Sequence, residues 1–126
     1  MTEHINYTMQ YRYIKMSGKN TISGTFFFSE GLAVVIDKET DNRGFIDETG
    51  KVVIPCQWRY ANDFSEGLAP VQDEHKKWGY IDMTGKLVIP CQWKDVKLFR
   101  EGTAWVKNER GEYFYINKTG KIVEKC

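Results

Sequence analysis

Three near-copies of one string punctuate the chain: Phe28-Ser29-Glu30-Gly31-Leu32-Ala33, Phe64-Ser65-Glu66-Gly67-Leu68-Ala69 and Phe99-Arg100-Glu101-Gly102-Thr103-Ala104, at offsets of 36 and 35 residues. A second marker follows each copy. It reads Gly44-Phe45-Ile46-Asp47-Glu48-Thr49-Gly50-Lys51, Gly79-Tyr80-Ile81-Asp82-Met83-Thr84-Gly85-Lys86 and Phe114-Tyr115-Ile116-Asn117-Lys118-Thr119-Gly120-Lys121, with a constant spacing of 35. A third, Val53-Ile54-Pro55-Cys56-Gln57-Trp58, returns as Val88-Ile89-Pro90-Cys91-Gln92-Trp93. Tandem units of about 35 residues cannot each bury both faces of short strands, so every unit must hide its apolar side against its neighbour.

At 126 residues the chain has room for one domain. The markers divide that domain, residues 1–126, into units 28–63, 64–98 and 99–126. Residues 1–27 hold a single worn second marker, Tyr13-Ile14-Lys15-Met16-Ser17-Gly18-Lys19, set four residues too close to the next Glu-Gly pair. They read as a degenerate N-terminal cap. The last unit ends Ile122-Val123-Glu124-Lys125-Cys126, with polar residues where its predecessors have Ile-Pro, as a solvated terminal unit would.

The expected fold is all-β: a tandem array of three to four three-stranded β-hairpin units. Ala33 and Val35, Ala69 and Val71, and Ala104 and Val106 keep an i, i+2 apolar pair in every unit, the signature of one pleated face turned to the core. Leu32 and Val34, Leu68 and Pro70, and Thr103 and Trp105 lie on the opposite, more variable face and are expected to be partly exposed. Asp-x-Thr-Gly-Lys spells a hairpin turn in which the Asp side chain closes an Asx turn and the Gly takes positive φ. Pro55 and Pro90 each remove an N–H late in a strand, where pairing must end, bulge or face an open edge. A closed propeller is the alternative, disfavoured because it needs at least four blades, usually of four strands each.

Lys77-Trp78-Gly79-Tyr80-Ile81-Asp82, followed by Gly85 and Val88-Ile89-Pro90, resembles the unit of the WG (KWG) repeat family. The resemblance covers about residues 28–126. It implies β-rich repeats with a binding or scaffolding role and implies no reaction. Arg43 stands where the first unit should have Trp, and Tyr113-Phe114 replaces Trp-Gly in the last, so a ligand held by a Trp-Gly pair would have only the middle unit.

Chemistry-bearing clusters are sparse. Cys56, Cys91 and Cys126 share one repeat position, and equivalent positions of neighbouring units lie roughly 10 to 14 Å apart, beyond the ~7 Å Cα limit for a disulfide. No C-x-x-C occurs, and neither His4 nor His75 is at ligand spacing from a cysteine, so no metal site and no cofactor are expected. Glu30, Glu66 and Glu101 form a column, read as carboxylates bonding the N–H groups of their own turns. Lys19, Lys51, Lys86 and Lys121 form another, read as a solvated edge. Asp73-Glu74-His75 falls in a variable loop, and without a nucleophile–base pair or a P-loop the chain is not expected to be an enzyme.

Lys plus Arg number 18 against 17 for Asp plus Glu, so net charge gives no drive toward nucleic acid. No window reaches the ~18 apolar residues of a membrane span, and the first fifteen residues lack a signal-peptide pattern, which points to the cytoplasm. Aromatic residues recur along the array, Trp58, Trp78, Trp93 and Trp105 with Tyr60, Tyr80 and Tyr113, and of these Trp58, Trp78, Tyr80, Trp93 and Trp105 are the candidates for contact with a ligand or partner; the alternative is that the rings wedge between units as core. The expected function is a non-catalytic binding or scaffold module that meets a protein or peptide partner through its repeat surface. The alternative is a carbohydrate or cell-surface ligand binder, which needs Trp58, Trp93 and Trp105 exposed along one groove. Open array edges also predict homodimerisation through a terminal unit.

Overall fold

Each Asp-x-Thr-Gly-Lys string closes its hairpin with its own side chain. The computed structural model describes residues 10–18 and 20–126. In it Asp47 Oδ1 accepts from the N–H groups of Thr49 and Lys51 at 2.9 and 3.1 Å and from the Thr49 hydroxyl at 2.6 Å. Gly50 takes φ 93°, and its N–H bonds Asp47 O at 3.0 Å. Asp82 and Asn117 repeat the arrangement around Gly85 and Gly120. The Thr49 and Thr84 hydroxyls, together with the turn N–H groups, hold the Asp47 and Asp82 carboxyls below the ordinary aspartate range.

These turns join neighbouring strands within three of the four antiparallel sheets, and there is no helix among the described residues. An N-terminal hairpin pairs β1 (Tyr11–Ile14) with β2 (Gly24–Phe27). The first unit is a three-stranded meander of β3 (Ala33–Ile36), β4 (Arg43–Ile46) and β5 (Val52–Trp58). The second has four strands, β6 (Tyr60–Ala61), β7 (Leu68–Gln72), β8 (Trp78–Asp82) and β9 (Leu87–Trp93). The third repeats them as β10 (Asp95–Val96), β11 (Thr103–Lys107), β12 (Tyr113–Asn117) and β13 (Ile122–Lys125). Residues 1–9 of the expected cap, His4 among them, and Lys19 lie outside the described residues.

Successive sheets meet face to face, and three apolar layers result. Ile14 and Met16 of the hairpin segment pack on Phe28, Ala33, Val35 and Ile46. Leu32, Phe45 and Ile54 of the first unit pack on Phe64, Ala69, Val71 and Ile81 of the second. Leu68, Tyr80 and Ile89 of the second pack on Phe99, Ala104, Val106 and Ile116 of the third. The Ala-x-Val pairs are buried as their spacing requires. No buried cluster joins the hairpin to the third unit among the described residues, so the stack is open.

Two details differ from the sequence reading. The second and third sheets carry a fourth strand beyond the expected three, because the chain reverses at Arg59 and Lys94 and lays a two-residue strand against β7 and β11. Leu32, Leu68 and Pro70 are buried rather than partly exposed, because the next sheet covers their face.

The sheets also explain why glycine precedes Phe45 and Tyr80. Trp78 pairs with Trp93 and Tyr80 with Ile89, so β9 advances four residues while β8 advances two. The slack bulges across Gly79. A Cβ there would lie 2.3 Å from Ile89 O and 2.8 Å from a Pro90 backbone carbon, and at Gly44 it would lie 2.3 Å from Ile54 O. In the third unit Phe114 replaces this glycine and Lys125 the proline; the two pair directly, and the Phe114 ring sits 6.1 Å from Trp93. Glycine and Ile-Pro are thus present together or absent together. Gly79→Ala should lower unfolding free energy by about 2–4 kcal/mol, whereas Gly24→Ala, whose Cβ meets nothing within 4 Å, should change it by less than about 0.5 kcal/mol. Urea denaturation of both variants checks this, and equal losses would contradict it.

Candidate functional site

Ser65-Glu66-Gly67-Leu68 is a two-residue turn with bonds in both directions between Ser65 and Leu68. Both central residues have positive φ, 56° at Glu66 and 82° at Gly67, the type I′ geometry that matches strand twist. The same pair recurs at Glu30-Gly31 and Glu101-Gly102. A glutamate at positive φ is unusual, since Gly, Asn and Asp tolerate that backbone far better.

The carboxylates account for it. Glu30 accepts from the N–H groups of Glu66 and Gly67 at 2.8 and 2.9 Å, and Glu66 accepts from those of Glu101 and Gly102 at 2.5 and 2.9 Å. Glu30 and Glu66 therefore cap the turn of the following unit, whereas the sequence reading had each bonding its own; the left-handed backbone aims the carboxylate out of its own sheet. Ser29 and Ser65 hydroxyls donate to Phe64 O and Phe99 O at 2.8 and 2.7 Å. Phe64 and Phe99 then meet the rings of Phe45 and Tyr80 edge-on, with centroids 4.8 Å apart. The Tyr80 hydroxyl donates to Lys97 O at 2.6 Å.

The third unit repeats the glutamate and the ring, with Arg100 in place of the serine, on a face that nothing in the described residues covers. Thr103, Trp105, Tyr113 and Tyr115 stand where the second unit has Leu68, Pro70, Trp78 and Tyr80. Trp105 stacks on Tyr113 at 4.7 Å and 27°, and Lys97 and Lys107 ammonium groups lie over the two rings at 5.8 and 5.5 Å. An open pocket of about 350 Å³ lies among Lys97, Leu98, Arg100, Thr103, Trp105 and Tyr115. The Glu101 carboxylate has no hydrogen-bond donor among the described residues.

The five aromatic residues singled out from sequence are scattered between this face and the interior. Tyr80 is fully buried and Trp93 nearly so, which removes both from any contact surface. Trp58 and Trp78 are half-buried against the layers between units, and the Trp58 and Trp93 indole N–H groups find no acceptor among the described residues. They wedge between sheets because the bulge after each Ile-Pro folds the strand end over the neighbouring layer. Of the five, Trp105 alone joins the outer face, where Tyr113, also in the recurring aromatic row, stacks on it, and the structure adds Tyr115. Tyr115 escaped the sequence reading because its repeat position is a core position in the other units; only its place in the last unit turns it outward.

The remaining clusters are structural. Asp73 Oδ1 accepts from the N–H groups of His75 and Lys77, closing the loop, and His75 is exposed. Cys56, Cys91 and Cys126 are free thiols. Burial, with Asp73 adding, pushes the Cys91 thiol up to about 11, and burial raises Cys56 likewise. Lys51, Lys86 and Lys121 are exposed. No group of three or more potential metal ligands occurs among the described residues, and none of their helices is long and apolar enough to cross a membrane.

The WG containing repeat family model matches two tandem segments, residues 44–76 and 78–110, which together take in just over half of the chain. The chain belongs to the WG repeat family. No curated protein matches it significantly.

Two outcomes follow for the joint and the thiols. The Gly102 N–H, with the Glu101 N–H and the Lys118 ammonium, holds the Glu66 carboxyl below its ordinary value. A carboxyl so lowered in the folded state stabilises fully above its unfolded pKa and ceases to do so as pH falls through its folded pKa. The urea midpoint should be flat from pH 7 to about 5 and fall below about pH 4, with a shallower acid limb in Glu66→Gln. An unchanged acid limb would contradict the joint. A disulfide reagent at neutral pH should label exposed Cys126 at least about tenfold faster than Cys56 and Cys91; equal rates would contradict their burial.

Proposed function

We propose that the protein is a non-catalytic binding module whose contact surface is the outer face of its third unit. The observation that supports this is the position of Trp105, Tyr113 and Tyr115 on a sheet face whose equivalents are covered by a neighbouring sheet in the first two units. A flat aromatic face with a cationic rim and one carboxylate suits a protein partner, because aromatic rings offer large contact area at small entropic cost and charged edges set orientation.

Carbohydrate binding is less well supported. It asked for Trp58, Trp93 and Trp105 along one groove, and Trp93 is inside the core while Trp58 is wedged on the opposite side of the second sheet. Basic side chains beside rings also suit single-stranded nucleic acid, but Lys97, Arg100 and Lys107 are few and Glu101 stands among them.

The test compares the wild type with Trp105→Ala/Tyr115→Ala in capture of proteins from the native host, alongside fluorescence titration with a panel of oligosaccharides and a short oligothymidylate. Protein capture by the wild type that the double variant loses, with no saturable response to sugar or oligonucleotide, is expected. Saturable quenching by either of those ligands, abolished in the variant, would overturn the reading.

A further inference from the structure

We infer that the outer face of the third unit receives a β-hairpin of the same repeat type, Phe-x-Glu-Gly followed by Ala-x-Val, carried by a separate polypeptide. This rests on the protein-binding reading and names its partner class.

Continuity with the joints inside the chain carries the argument. Wherever a unit is followed by another, an aromatic ring, a glutamate and a serine hydroxyl on its outer face engage the newcomer's leading hairpin, the serine donating to the carbonyl of the incoming phenylalanine. The ring at Phe45 or Tyr80 takes an edge-on phenylalanine. The glutamate takes two successive N–H groups of a type I′ turn. In the second joint the tyrosine hydroxyl takes a backbone carbonyl as well. The third unit has Arg100 in place of the serine and holds the other groups of the second joint: the exposed Tyr115 ring, its hydroxyl, and the Glu101 carboxylate, held at φ 53° like its predecessors. The pocket bounded by Thr103, Trp105 and Tyr115 lies where the corresponding Leu68, Pro70 and Tyr80 positions receive Phe99. Glu101 retains the left-handed backbone although no turn within the described residues uses its carboxylate.

The same comparison limits what docks. Gly85 and Gly120 of incoming second-marker turns rest on Ile54 and Ile89, where a Cβ added to either glycine would lie 3.4 or 3.2 Å from the isoleucine side chain. Glu124 occupies that seat in the third unit, opposite Tyr115. An apolar turn glycine has no seat there, so the leading hairpin docks and the trailing half of a unit does not. A second copy of this chain does not provide that hairpin. Its Phe28 is packed on its own Ile14 and Met16, its Ala33 and Val35 are in the same buried layer, and its Phe64 and Phe99 are inside its own joints.

The test titrates the full, nitrogen-15-labelled chain with an unlabelled, backbone-cyclised peptide of residues 62–82, shown by NMR to form the hairpin before use. Saturable shifts centred on Glu101, Thr103, Trp105 and Tyr115, with affinity about five- to tenfold weaker in Glu101→Gln and in Tyr115→Phe, are expected. Both variants leave the chain's own joints intact. Binding indifferent to both substitutions overturns the inference. So does a concentration-dependent dimer, by light scattering, that Tyr115→Arg dissolves, since a second copy then owns the face. No response at millimolar peptide, while Trp105→Ala/Tyr115→Ala still abolishes protein capture, overturns the inference and leaves the binding reading standing; if capture is also unaffected, both fall.

Discussion

A carboxylate reaching from one unit to the backbone of the next is the contact on which this architecture turns. Left-handed backbone costs a residue that bears a side chain roughly 1–2 kcal/mol. Glu30, Glu66 and Glu101 all adopt it, at the turn position glycine or asparagine would fill with less strain. The conformation points the side chain out of its own sheet, where two N–H groups of the following turn await it. Serine-to-carbonyl bonds and edge-on phenylalanines then fix the spacing, and the Ala-x-Val faces close over them. Hydrophobic burial supplies most of the stabilisation but is indifferent to small slides between flat faces; the carboxylate and hydroxyl bonds are directional and set the register.

The stack is polar as a result. Each sheet has a back that presents turn N–H groups and an outer face that presents the glutamate and an aromatic ring. The hairpin closes the back of the first unit with Ile14 and Met16. The outer face of the third unit keeps its apparatus with altered surroundings: Thr103 and Trp105 for Leu68 and Pro70, Phe114 for glycine, Glu124 and Lys125 for Ile-Pro. Those exchanges remove the bulge and the seat for a trailing turn, and Arg100 replaces the serine, yet the glutamate and the ring that grip a leading turn are kept.

What the sequence made legible was whatever a single unit contains. The all-β fold and the Asp-x-Thr-Gly-Lys turn depend on residues within a few positions of one another and the period on matching strings about 35 apart, and spacing alone exposes all three. The glutamate column was visible, but its partners were assigned to the wrong turn, because a bond from Glu66 to Gly102 spans 36 residues and only the stacking direction distinguishes it from a local one. The tryptophans misled for the same reason. Trp93 and Trp105 look alike as aromatic strand residues, and burial depends on which sheet lies beyond them. The joint loss of Gly and Ile-Pro in the last unit was readable in the letters, though its cause, a carbonyl 2.3 Å from an added Cβ, needed the backbone.

Native-state hydrogen exchange tests the joint most directly, because the amides in question lie at exposed turns where nothing but the neighbouring carboxylate protects them. The amides of Glu66, Gly67, Glu101 and Gly102 should exchange slowly, while those of Glu30 and Gly31, which have no acceptor among the described residues, should exchange quickly. Glu66→Gln should then release Glu101 and Gly102 and leave Glu66 and Gly67 protected. Fast exchange at all six amides, or release of Glu66 and Gly67 in that variant, would contradict a chain of units held in register by each carboxylate on the next turn.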